Sequence, residues 1–121
     1  MNKTKKILTI ALISIAALMI VMSGIMKITK NQQAVEGLTK VGVGPYITLL
    51  GTMEIVFAAL FVYPKTMKLG FILLSCYFAG AMATDLSHGS PVVNAMFPLV
   101  LIWIAAFLRD KSVFLPTEKT L

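Results

Sequence analysis

The chain has 121 residues, 58% of them hydrophobic and only 13% charged, with a formal net charge of +6. A water-soluble domain of this size needs a polar exterior, which this composition cannot supply; the mean hydropathy is +0.88. The positive excess is spread over the ends and connections of apolar blocks, so it is no nucleic-acid footprint.

Lys3, Lys5 and Lys6 precede the first apolar block, residues 7–26. Its apolar core exceeds the roughly 7–15 residues of a signal peptide and no A-x-A-like site closes it, so a retained span is expected. Ser23, Gly24 and Lys27 lie at its far end. Residues 27–44 are the only sizeable connection, and the stretch 31–37 is expected to begin a short interfacial helix. Gly44-Pro45 opens the second block, 45–63, where proline suits a first helical position. Pro64 closes that block, with Lys65 and Lys68 in a tight turn.

The third block, 69–86, carries Cys76, Gly80 and Thr84 at four-residue spacing, with Ala79 and Ala83 alongside. Such a row lets helix backbones approach closely in lipid, so Gly80 is expected at a helix contact. Cys76, the only cysteine, reads as a small buried packing residue and excludes an internal disulfide. Ser90-Pro91 reads as the N-cap and first position of the fourth block, 92–108, and Pro98 is expected to kink it. A polar tail follows from Arg109, with Pro116 discouraging further helix.

Each block is within or close to the ~17–25 residues that cross the hydrocarbon core as a helix. The expectation is an all-α integral membrane four-helix bundle, one domain over residues 1–121, with the lipid bilayer as its principal partner. Eight of the eleven basic residues, namely Lys3, Lys5, Lys6, Lys65, Lys68, Arg109, Lys111 and Lys119, fall at the termini or in the second connection. The positive-inside rule therefore puts both termini in the cytoplasm of a multi-pass protein of the inner (plasma) membrane.

Glu54 stands in the middle of the second block. A carboxylate at that depth costs roughly 2.5–3.5 kcal/mol on insertion scales, so it is expected to face the bundle interior and to mark a functional pathway. Gly51 and Ala58, three residues before it and four after, share its helix face as packing positions. Threading the spans brings Lys27, Asp85, His88 and Asn94 to the same side of the membrane as Glu54. These five residues are the candidate ligand-binding set. Lys27 reads equally as a side chain snorkelling to the head groups, Asp85 as an exposed helix-end carboxylate, and His88 as a loop residue. Unless a cation reaches it, a buried Glu54 would be neutral and able to donate a hydrogen bond. No His/Cys spacing points to a metal.

The order of Ser23-Gly24 and Lys27, Gly44-Pro45-Tyr46, Gly51 with Glu54, Tyr63-Pro64-Lys65, Gly70, and Gly80-Ala81 leading to Thr84-Asp85-Leu86-Ser87-His88-Gly89 resembles the DoxX-like family. The resemblance runs from about Ile7 to Leu108. It implies a small bacterial or archaeal four-span membrane protein. The family takes its name from a subunit of a thiosulfate:quinone oxidoreductase, and this chain has Asp85 where relatives often carry His. On that basis the expected function is a redox-associated subunit, partner to a membrane oxidoreductase or a homo-oligomer, binding a quinone or similar lipophilic molecule. Two alternatives stand beside it: a small proton-coupled exporter, and a structural subunit of a membrane complex.

Overall fold

The computed structural model describes residues 3–115, so Pro116 and Lys119 lie outside the described residues. Five helices follow in order: α1 (Lys3–Ile28), α2 (Gln32–Lys40), α3 (Ile47–Val62), α4 (Met67–Ser87) and α5 (Val93–Arg109). No strand occurs among the described residues. Single 3-10 turns, Gly44–Tyr46 and Pro64–Thr66, lead into α3 and α4. In each, a proline near the start occupies a position whose missing N–H breaks no helical bond.

The segments Lys3–Ile28, Gly44–Val62 and Pro64–Ser87 are each long and apolar enough to cross a membrane. The apolar α5, with 17 residues, is at the short end of the ~17–25 needed. The four long helices form a ring: α1 packs on α3, α3 on α4, α4 on α5, and α5 back on α1. Ala16, Ile20, Ala58, Phe61, Leu74, Ile102, Ala105 and Ala106 fill the centre. The outward faces are apolar too, with Leu18, Leu49, Ile72, Phe97 and Ile104 exposed. Helices apolar on every side have no wet face, which is the pattern of a bundle solvated by lipid.

Two glycine contacts set the helix spacing. A Cβ on Gly51 would stand 2.7 Å from the Gly24 carbonyl oxygen and 2.9 Å from Lys27 Cβ, so α1 and α3 touch backbone to backbone there. A Cβ on Gly70 would run into the backbone of Leu60 and Phe61, joining α4 to the end of α3 equally closely. Several polar side chains in the spans are satisfied internally. Thr9, Thr52 and Thr84 each donate to the carbonyl four residues back at 2.7–2.9 Å, and Trp103 Nε1 donates to Ser75 Oγ at 3.1 Å.

Three sequence expectations require correction. Gly80 is exposed, with open space where a Cβ would stand, and it meets no other helix among the described residues. Cys76 is likewise exposed rather than buried. The reason is helical register: α4 turns Met67, Gly70, Phe71, Leu74 and Phe78 inward, which carries positions 76, 80 and 83 to the opposite side. Ser90-Pro91 does not cap α5, which starts at Val93 with Val92 as its N-cap. Ser90 instead finishes α4, its N–H donating to the Asp85 carbonyl at 2.8 Å.

The connection after α1 carries a short helix where one was expected. Asn31 Oδ1 accepts from the Gln33 N–H at 3.0 Å, an N-cap that starts α2. α2 ends at Lys40, and Gly42 just beyond it turns the chain with a φ of +82° that glycine adopts without strain.

Candidate functional site

The inward face of α3 is Ile47, Gly51, Glu54, Ala58 and Phe61, so its one carboxylate points to the bundle interior and is 2% exposed. The close Gly24–Gly51 contact brings α1 near enough for Lys27 to reach it. Lys27 Nζ lies 2.8 Å from Glu54 Oε1 and donates also to Ser23 Oγ at 2.8 Å, while Ser23 Oγ donates to the same Oε1 at 3.3 Å. Ser23 and Lys27 are one turn apart on α1, which is why both converge on one oxygen. Lys27 is therefore no head-group snorkel: its side chain is 14% exposed and ion-paired. Lys27 is thus the cation whose absence the reading of a neutral, donating Glu54 required. Its other oxygen, Oε2, is buried and has no hydrogen-bond partner among the described residues.

This pair borders a cavity of about 990 Å³ between the helices. Ser23 and Lys27 of α1, Leu38 of α2, Glu54 of α3, Tyr77 and Asp85 of α4 and Asn94 of α5 all line it. Met19, Ile20, Phe78 and Phe97 supply apolar wall, and α2 contributes Ala34 and Leu38 at the end where it bridges α1 and α3. Thus four of the five candidate residues, Lys27, Glu54, Asp85 and Asn94, line one space. His88 does not. Its ring sits at the end of α4, with Nδ1 3.0 Å from the Thr84 carbonyl and 2.9 Å from Ser87 Oγ. A Cβ on Gly42 would lie 3.1 Å from His88 Nε2, so this histidine packs the α2–α3 connection rather than the cavity. No group of three or more potential metal ligands occurs among the described residues.

Tyr77 is a polar cavity side chain that sequence reasoning missed. It lines the cavity, and its hydroxyl is within interaction range of Glu54 without completing a bond to Oε2. The signal lay one residue from the small-residue row: Tyr77, Ala81 and Asp85 also repeat every four residues, and that stripe faces the cavity. A lone tyrosine in an aromatic-rich span carries no charge to draw attention to it.

A family model described as the DoxX-like family matches residues 11–108, which include every cavity residue named above. The chain belongs to the DoxX-like family. No curated protein and no solved structure matches it. Family and apolar helices together make this DoxX-like chain a membrane protein with transmembrane helices.

Proposed function

We propose that this DoxX-like protein is a redox-associated membrane subunit that takes a lipophilic small molecule of the quinone class into the cavity between its helices. The observation that carries the reading is a buried carboxylate–ammonium pair beside a cavity with apolar walls. Charged groups are costly at that depth, and in membrane spans they mark ligand or proton sites. The cavity's size suits a ring with its head group, since small-molecule sites commonly measure ~300–1,000 Å³ and combine apolar walls with a few polar groups. Apolar side chains such as Ile20, Phe78 and Phe97 would hold the ring and tail, and the Lys27–Glu54 end would orient the ring oxygens.

Charge distribution along the chain supports a plasma-membrane orientation with both ends cytoplasmic and the cavity in the outer half of the bilayer. The experiment is purification in native lipid discs, followed by extraction and mass spectrometry. A molecule of the quinone class, in either redox form, retained in near-stoichiometric amount is the expected result. A lipid extract with no quinone enrichment over the surrounding membrane would rule the reading out.

A further inference from the structure

Glu54 uses only one of its oxygens. Lys27 and Ser23 both converge on Oε1, whereas Oε2 is buried and has no partner among the described residues. A buried acceptor left unpaired is costly, so a donor is expected there. Oε2 is buried from solvent, so the donor is sought among neighbouring side chains. Tyr77 shares the cavity wall with Glu54, carries a hydroxyl and lies near enough to feel the carboxylate's charge, although its hydroxyl makes no hydrogen bond to Oε2 in the structure. Its ring is braced edge-on by Phe78, with centroids 5.2 Å apart and planes at 86°.

We propose that Tyr77 determines which redox form this site accepts: its phenol donates to Glu54 Oε2 and turns its own lone pairs toward the cavity, selecting a ligand that brings a hydrogen-bond donor. The inference rests on the quinone-class reading above and refines it. A hydroquinone O–H can donate to the Tyr77 oxygen. A quinone carbonyl, itself only an acceptor, meets that oxygen lone pair to lone pair. Lys27 does not discriminate, because its one remaining N–H can be accepted by the oxygen of either form. Sites built to pair a ligand hydroxyl reject the analogue without it strongly, since their own polar group is then left unpaired.

The test uses the full chain in lipid nanodiscs, with decylubiquinol under anaerobic reduction and decylubiquinone as probes. Bound ligand is counted after filtration against empty nanodiscs. The expected result is tighter binding of the hydroquinone by about tenfold or more. Tyr77→Phe, which keeps the ring and its packing, should bring the two forms to within about threefold by weakening the hydroquinone and relieving the quinone. Glu54→Gln provides a second variant. Its amide can donate to the Tyr77 oxygen, freeing the phenolic proton to point at the cavity, so the preference should move toward the quinone. A ratio unchanged in folded Tyr77→Phe, or equal binding of both forms by the unaltered chain, overturns the role of Tyr77 and leaves the quinone-class reading standing. Retention of neither form above empty nanodiscs overturns both.

Discussion

Lys27 changes meaning most between sequence and structure. Read from the sequence, it is as readily a head-group anchor as a site residue, and Lys27→Ala is expected to weaken any activity less than Glu54→Gln. With Nζ 2.8 Å from a carboxylate that is 2% exposed, the order reverses for stability. Lys27→Ala leaves Glu54 charged, buried and unpaired, and should cost about 3 kcal/mol. Glu54→Gln keeps the shape and removes the buried charge, so it should cost less. The double change Lys27→Met with Glu54→Leu should recover most of the loss, because a buried pair is often replaceable by apolar groups. Thermal unfolding of the three variants in one detergent measures this. A Lys27→Ala midpoint equal to the unaltered chain would mean that the pair does not form. Any quinone-linked activity should nevertheless fall sharply in Glu54→Gln, which cannot exchange a proton.

At the level of helices, two glycines that look alike in sequence should behave oppositely. Gly51→Ala drives a methyl to within 2.7 Å of the Gly24 carbonyl and should destabilise by about 1–3 kcal/mol. Gly80→Ala meets nothing within 4 Å and should be neutral or stabilising by up to about 1 kcal/mol through helix propensity. Detergent-resistance midpoints separate the two; equal losses would place Gly80 in a contact.

Arg109 has a structural task beyond its charge. Its guanidinium donates to the Phe61 and Val62 carbonyls at 2.7 and 2.9 Å, closing the end of α3 from the end of α5. Arg109→Lys preserves the positive end yet loses the two-pronged contact, at a cost of about 1.5 kcal/mol.

Just beyond Arg109, the Ser112 hydroxyl and N–H donate to Asp110 and hold its carboxyl below the usual carboxylate range. A lowered folded value means the contribution is present above the unfolded value and is lost as pH falls through the folded one. This turn delivers Phe114 to Trp103, the only tryptophan, at 5.0 Å. Trp103 emission should therefore hold steady down to about pH 4 and change below it. In Ser112→Ala the change should set in at higher pH.

For the whole molecule, orientation is the expectation with the widest consequences. At the end of α1 Lys27 is committed to Glu54, which leaves Lys30 and Lys40 of the connection to α3 against the clusters at the opposite ends. Reporter fusions after Leu121 and within residues 32–37 should accordingly report opposite sides, with the C-terminus cytoplasmic. A C-terminus on the outer side would move the cavity to the cytoplasmic half of the bilayer.

Hydropathy and punctuation determined the bundle, because crossing hydrocarbon imposes a block length and a run of apolar residues that are visible without coordinates. The cost of a midspan charge likewise turned Glu54 inward from sequence alone. Gly51 and Ala58 could be put on its face by spacing alone. Rotation about the helix axis was a different matter. In lipid every face of α4 is apolar, so no contrast between a wet side and a dry side distinguishes the Cys76–Gly80–Thr84 row from the Tyr77–Ala81–Asp85 row one residue on. Only packing against Phe61 and the other inward side chains decided it. The tertiary structure also decided the partner of Glu54, because a 2.8 Å contact between residues 27 positions apart depends on how closely two glycines let α1 and α3 approach.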